Sequence, residues 1–407
     1  MKKFLILFFL FFCGLSHGFS TNREQARNIV INFLKNKKMK ISDISLAEVN
    51  SDVIIFNNGQ NDGFVVVANN PKLNLILGYT EKGHYDTQDS PCNFNYWKNH
   101  WQNQLLHFKN TIKLNNNYID TKKTILPLLK TKWDQYSPYN NLCPEMNGKI
   151  CPTGCTVTAM AQIMKYYKYP NRCESLYGYV TNSNRIIMPT LQETEFKWDN
   201  MLDVYGKDAP EEYVNEISKL MLYCGYAVYA DYDSSGTGAS TMDAFIGFRQ
   251  LFDYSVECKY IYQKDYDEEE WNNLIYNNLE QGFPVLYSGL DESGEGHAFI
   301  CDGYDNEYFH INWGWGGKFD GYFILSLANP YTNSYEKVND GFRKDQEAII
   351  NLMPNNWGKI NTIRIPTDSM TEKKTVYSIT GQFVGQYTSF SNLPKGIYLV
   401  NGKKIAN

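Results

Sequence analysis

The apolar residues after Gly154 recur with the period of a helix. Positions i, i+3, i+4 and i+7 are held by Val157, Met160, Ala161 and Met164. This spacing predicts an amphipathic helix over 154–167 that buries one face, with Thr153 as its N-cap. Similar spacing predicts a helix that opens at the capping box 21–24, and two more over 211–223 and 268–279.

Short apolar or alternating runs between glycine and aspartate turns predict strands. The runs lie at 63–68, 75–80, 284–287, 297–301, 308–313 and 321–325, and again at 376–385 and 393–404. Helices dominate the middle of the chain, and strands dominate the later part. The pattern therefore predicts an α+β protein with a small α+β unit at the N-terminus and a small β module at the C-terminus.

Composition and charge narrow the class of protein. Of the 407 residues, 43% are hydrophobic and 15% are aromatic, which favours a packed globule over a disordered chain. The formal net charge of -5 gives no reason to expect nucleic acid or an anionic membrane as a partner.

The first residues have the pattern of an export signal. Lys2 and Lys3 precede an unbroken apolar run over 4–12, and small residues come after it near 16–18. The run is shorter than the roughly 20 residues that span a bilayer, so no stable membrane insertion is expected. We predict a signal peptide over 1–18 and a secreted or cell-surface bacterial protein. Lipidation at Cys13 is disfavoured by the bulky residues before it.

Cys155 stands at the start of the predicted helix, where a thiol can become a nucleophile. Unpaired N–H groups and the positive end of the helix dipole favour the thiolate, the reactive form of cysteine. Once the first hundred or so residues are set aside, only two histidines remain. His297 lies between glycines and an apolar strand and is the predicted base, while His310 lies within a strand among large side chains and is predicted to pack there.

Four motifs in order resemble those of the streptopain-type cysteine peptidases, a bacterial branch of the papain-like fold. They lie at 133–140, 153–167, 296–299 and 312–317. The resemblance implies a two-lobed catalytic domain with Cys155 as nucleophile, His297 as base and acid, and Gln135 as side-chain donor of the oxyanion hole. Asn312 or its neighbour Trp313 would orient the imidazole.

The resemblance also implies where substrate binds. The segment 234–240 corresponds to a substrate-facing loop, and glycines flank both reactive residues. The predicted substrate-binding residues are Gly154, Ser234, Ser235, Gly236 and Gly296. One departure from the family is Thr156-Val157, where two smaller residues are common.

The resemblance also implies the domain organisation. It implies that the N-terminal unit over 19–123 is a propeptide that inhibits the enzyme intramolecularly and that 124–353 is the catalytic domain, and the strand pattern adds a C-terminal β segment over 357–407. An N-terminal domain that stays attached is the alternative for the first. The C-terminal segment resembles sorting domains of the type IX secretion pathway, and its machinery is a possible partner; an accessory β module is the alternative.

Other sites are weaker. The run 231–236 imitates the opening of a calcium loop, but Met242 replaces the required glutamate at position twelve. No cofactor and no metal are expected. Cys143 and Cys151 could form a disulfide after export or remain reduced.

The predicted function is hydrolysis of protein or peptide substrates by a cysteine endopeptidase, with an inactive binding protein or an acyl or amide transferase as alternatives.

Overall fold

The structure is a computed structural model of the chain. It describes residues 23–51, 53–69, 75–90, 94, 122–290, 296–325, 344–355, 357, 374–378, 383–387, 397–400 and 403–406. The predicted signal segment and the first residues of the capping box lie outside this part. The described helices are α1 (Arg23–Asn36), α2 (Cys155–Tyr167), α3 (Glu211–Ala227), α4 (Thr241–Gln250) and α5 (Glu268–Glu280). Within the described residues, no helix has the length and apolarity that crossing a membrane requires.

One ten-stranded antiparallel sheet runs through the first 352 residues. Its strands, in spatial order, are β1 (Ile44–Val49), β2 (Val53–Asn58), β3 (Phe64–Ala68), β4 (Ile76–Tyr79), β15 (Gly321–Phe323), β14 (Tyr308–Asn312), β13 (Gly296–Asp305), β12 (Val285–Leu290), β16 (Lys344–Ile350) and β11 (Lys259–Tyr262). The junction between its N-terminal and later strands is the pairing of Tyr322 with Tyr79 and of Phe323 with Gly78. The N-terminal unit and the catalytic part therefore share one sheet.

Helix α1 covers one face of the sheet with a hydrophobic core that also includes Tyr308 and Tyr322 of the later strands. Ala26, Val30 and Leu34 lie on one side of α1 and are fully buried. They pack with alternate residues of β2 and β3, such as Ile54 and Val65. The predicted helix and the strands near 63–68 and 75–80 are confirmed.

The helices α2, α3 and α4 form a separate layer. Nine successive residues of α2, from Thr156 to Met164, are buried, so this helix is enclosed on nearly all sides. It packs on β13 and on α3 and α4. Short two-residue strands pair in the same part of the molecule; they are β5 (Glu145–Met146), β6 (Lys149–Ile150), β7 (Arg172–Cys173), β8 (Tyr179–Val180), β9 (Ile187–Met188) and β10 (Thr194–Glu195), with Leu176 bridging Leu191.

The C-terminal residues from Met353 form a second compact unit. Its described part is a four-stranded antiparallel sheet in the order β18 (Phe383–Tyr387), β17 (Lys374–Ser378), β19 (Ile397–Val400) and β20 (Lys403–Ala406). The described residues of the strands predicted at 376–385 and 393–404 lie within this sheet, and the rest of those two predictions falls outside the described residues.

Candidate active site

The turn before Cys155 depends on a glycine. Gly154 has φ +90°, and a Cβ there would lie 2.7 Å from the carbonyl oxygen of Thr237. Glycine is the residue that adopts this conformation without strain. The helix begins at Cys155 with Gly154 as its N-cap, so the prediction of Thr153 as N-cap is wrong. The Thr153 hydroxyl instead bonds the Thr158 hydroxyl at 2.8 Å.

Cys155 and the residue next to His297 are in direct contact. The backbone N–H of Ala298 donates to Sγ of Cys155 at 3.4 Å. This contact joins the start of α2 to β13, where His297 is 2% exposed. The two residues predicted to form the dyad, which are 142 positions apart in sequence, are thus neighbours in space.

The backbone of Trp313 orients the imidazole of His297. Nε2 lies 3.1 Å from the Trp313 carbonyl oxygen, and because a carbonyl only accepts, Nε2 carries the proton. In a neutral imidazole the other nitrogen, Nδ1, is then the basic one. The indole of Trp315 stacks on the imidazole with ring centroids 4.7 Å apart.

Burial disfavours the charged form of both members of the pair. Desolvation lowers the pKa of His297 to about 4, although the bond to Trp313 opposes the shift. Desolvation also raises the pKa of the Cys155 thiol, against the N–H groups of Ala298 and Thr156. The helix terminus favours the thiolate as expected from the sequence, but here desolvation outweighs it.

Asn312 faces a different partner from the one expected. Its Oδ1 accepts from Gln162 Nε2 at 3.0 Å and from the Gly314 N–H at 3.1 Å. Its Nδ2 donates to the Thr131 carbonyl at 2.9 Å. Of the two residues expected to orient the imidazole, Trp313 makes the bond, through its backbone carbonyl, and the Asn312 carboxamide bonds Gln162, Gly314 and Thr131 instead.

Gln135 lies beside the turn that carries the thiol. It is half-buried, and its backbone carbonyl accepts the N–H of Thr153 at 2.9 Å. Its own N–H donates to the carboxylate of Asp134 at 2.6 Å. Gln135 is therefore bonded through its main chain to a residue two positions before Cys155.

The predicted substrate-facing loop packs against the same turn. Thr237 donates its hydroxyl proton to the Pro152 carbonyl at 2.6 Å, and Thr156 donates to the Ala239 carbonyl at 3.0 Å. Ser235 and Gly236 are exposed, Ser234 is half-buried, and Gly296 is exposed at the start of β13. Asp233 supports the loop through two bonds from Ser235.

The remaining candidates have structural partners. His310 bonds the buried carboxylate of Asp302 at 2.6 Å, which agrees with a packing role. Cys143 and Cys151 are both buried and both free thiols. Among the residues that the structure describes, no cluster of three or more His, Cys, Asp or Glu side chains could hold a metal ion.

Sequence reasoning missed Gln162. This residue is fully buried in α2, on the same helix as Cys155, and its amide bonds Asn312. The only local signal was a polar residue between apolar neighbours in a helix otherwise buried on that side.

Family comparisons agree with this geometry. Residues 133–323 match the Peptidase C10 family, and residues 20–105 match the Spi protease inhibitor family. The first match contains the thiol, the imidazole and the Trp313 loop. The second contains α1 and the first four strands of the shared sheet.

Individual relatives give the same result. The chain is 30% identical to the thiol protease/hemagglutinin PrtT of Porphyromonas gingivalis over 82% of its own length, and spans 42% of that relative. It is 29% identical to streptopain of Streptococcus pyogenes over 83% of its length, and spans 93% of that protein.

A solved structure is also similar. Prointerpain A of Prevotella intermedia superposes with a TM-score of 0.61 and 29% identity, over 75% of this chain and 97% of that one. The expected α+β fold with an N-terminal propeptide-type domain is confirmed. Residues 133–323 thus form a cysteine-protease domain of the Peptidase C10 family, and residues 20–105 form a Spi-type inhibitor domain.

Proposed function

We propose that the chain is the zymogen of an endopeptidase in which Cys155 attacks the peptide carbonyl and His297 moves the proton. One observation carries this assignment: the contact between Cys155 Sγ and the Ala298 N–H, which puts the thiol beside the residue bearing the imidazole. The substrates are proteins or peptides.

The orientation of the imidazole determines the chemistry. Because the Nε2–H of His297 donates to the Trp313 carbonyl, Nδ1 is free to take the thiol proton and return it to the leaving amine. The negative charge that develops on the substrate oxygen is stabilised by the Cys155 N–H and the Gln135 side chain. Water then hydrolyses the thioester with His297 as base, which restores the thiol.

The N-terminal domain is proposed to inhibit the enzyme through its contact with the loop that carries Trp313. Phe94 stacks on Phe319 with centroids 4.8 Å apart and 12° between planes. The Phe319 carbonyl accepts the indole N–H of Trp313 at 3.1 Å, and the Trp313 carbonyl in turn holds His297. An aromatic residue of the inhibitor domain therefore supports the loop that positions the base.

Substrate contacts and export are extensions of the same proposal. An extended peptide would run along the loop and strand ends that flank the thiol. The residues that would line its path are Gly154, Ser234, Ser235, Gly236 and Gly296. The segment 1–18 would direct export, and the C-terminal sheet would serve as a sorting segment.

The test is self-processing and casein hydrolysis by the full chain without residues 1–18. Wild type should shorten itself and degrade casein, and Cys155→Ala should do neither. Casein hydrolysis that persists in Cys155→Ala, or turnover that needs an added amine as acceptor, would contradict the proposal. Cys143→Ala is the control for loss of a buried thiol elsewhere.

A further inference from the structure

The fully buried amide of Gln162 connects three parts of the site. It lies on α2 seven residues after Cys155, two helical turns along the same face. Its Oε1 accepts from the Thr131 hydroxyl at 2.8 Å and from the Trp133 N–H at 3.4 Å, in the segment that leads to Gln135. Its Nε2 donates to Asn312 Oδ1 at 3.0 Å.

The bond to Asn312 continues to the imidazole. The same Asn312 Oδ1 accepts the N–H of Gly314 at 3.1 Å. That N–H belongs to the peptide group whose carbonyl, on Trp313, accepts the His297 Nε2 proton. One peptide plane is therefore held at its N–H end by the amide pair and at its C=O end by the base.

The side-chain amides of Gln162 and Asn312 bond each other in both directions and are buried. Asn312 Nδ2 also lies 3.2 Å from Gln162 Oε1, and the exposed fractions of the two residues are 4% for Asn312 and 0% for Gln162. A buried network with each member satisfied specifies one arrangement, because any displacement leaves a polar group without a partner. Gly314 has φ +73°, so the loop itself is shaped for this peptide orientation.

We infer that Gln162 is a positioning residue for catalysis, which sets the register between the nucleophile helix, the Gln135 segment and the peptide that orients His297. The inference rests on the proposed function of Cys155 and His297. Gln162 touches neither substrate nor the reacting atoms; it acts through Asn312 and the peptide between Trp313 and Gly314.

The test compares Gln162→Met with Gln263→Met. Methionine has a similar volume and none of the hydrogen bonds, and Gln263 is a buried glutamine outside the network, 4% exposed. Each full chain is processed by a trace of wild-type enzyme, and Cys155→Ala processed in the same way gives the background. For Gln162→Met we expect kcat to fall about 100-fold with KM within about 2-fold, as a small misplacement of reacting groups produces.

Gln263→Met should keep kcat within about 2-fold of wild type. A Gln162→Met enzyme that also keeps kcat within about 2-fold, whatever its melting temperature, overturns the inference. Failure of the proposed function has a different signature, since Cys155→Ala would then match wild type.

Gln162→Glu extends the test should the methionine variant not fold. An ionised glutamate still accepts from Thr131, Trp133 and Asn312 but cannot donate to Asn312 Oδ1, whereas a protonated one can. The ratio of its kcat/KM to that of wild type should rise at least about 10-fold between about pH 8 and about pH 5. A ratio that does not change with pH overturns the inference.

Discussion

The imidazole of His297 lies against the indole of Trp315, with 4.7 Å between ring centroids and 19° between planes. Trp315 in turn stacks on Trp313 at 5.4 Å and 6°. Two indoles thus shield the imidazole, which explains the low pKa of His297 better than any charged neighbour: desolvation is the leading cause of the shift.

Replacing Trp315 with alanine should raise the pKa of His297 from about 4 towards its ordinary value near 6.5. Water would reach the imidazole and solvate its charged form. The measurement is an NMR titration of the His297 ring protons in a Cys155→Ala background. Trp315→Phe keeps an aromatic cover and should stay closer to wild type; equal pKa values in wild type and Trp315→Ala would contradict this account.

The buried imidazole should make the folded chain sensitive to mild acid. The folded pKa of His297 lies below its unfolded value, so the unfolded chain binds the proton first as pH falls from about 6.5 to about 4. Burial of the neutral imidazole therefore contributes fully to the free energy of unfolding above about pH 6.5. About 3 kcal/mol of that free energy is lost as the pH falls to about 4. Urea unfolding of wild type and of His297→Phe across this range measures the difference. Parallel curves for the two proteins would rule the effect out.

An ion pair across the two domains should slow release of the inhibitor domain. Lys37 Nζ lies 2.5 Å from Asp305, which also accepts the Tyr79 hydroxyl at 2.9 Å. The side chains are only 16% and 23% exposed. Lys37→Ala should therefore lower the free energy of unfolding by about 2 kcal/mol and speed self-processing. Lys318→Ala removes a comparable pair with Asp89 whose side chains are 53% and 70% exposed, and should change the rate little. Equal effects of the two variants would count against the prediction.

The stack of Phe94 on Phe319 should restrict access to the thiol. Phe94→Ala removes the aromatic support of the Trp313 loop, and the loss of such a buried ring costs about 3 kcal/mol. Iodoacetamide should therefore alkylate Cys155 faster in the full chain. Phe33→Ala is the matched control, because Phe33 also belongs to the N-terminal domain but contacts Tyr308 and Tyr79. Identical acceleration by both would mean general loosening.

The left-handed glycine before the nucleophile should tolerate no side chain. Gly154→Ala adds a Cβ 2.7 Å from the Thr237 carbonyl as well as backbone strain at φ +90°. We expect a loss of about 2–3 kcal/mol in the free energy of unfolding. Gly148→Ala has a similar φ of +74° but open space around the Cβ, so it isolates the clash. Similar losses in the two variants would show that strain alone is responsible.

Local signals are enough to predict the parts of the fold and site that depend on short stretches of chain. The period of α2 and the glycines around Cys155 and His297 are local features, and the helix and strand that carry them are where the sequence predicts. The capping box at Asp267 and Glu270 that opens α5 is another, since an acidic run at this position indicates a helix start.

Features that depend on distant partners could not be predicted. Gln162 owes its importance to Asn312, 150 residues later, and nothing near it in sequence indicates that bond. Strand β16 lies between β12 and β11, but it begins with Lys344 and Asp345. Two charged residues at the start of a segment do not indicate an interior strand. Helix α4 was missed for a similar reason: only Thr241, Ala244, Gly247 and Phe248 are buried, too sparse an apolar face to stand out.

The shared sheet has a consequence for the processed enzyme. Loss of the N-terminal domain would uncover the outer side of β15, where Tyr322 and Phe323 now pair with Tyr79 and Gly78. The main-chain donors and acceptors of β15 would then form an exposed sheet edge, with which another extended segment can pair. Since β15 spans only three residues, that edge would be short, which limits self-association of the released protease.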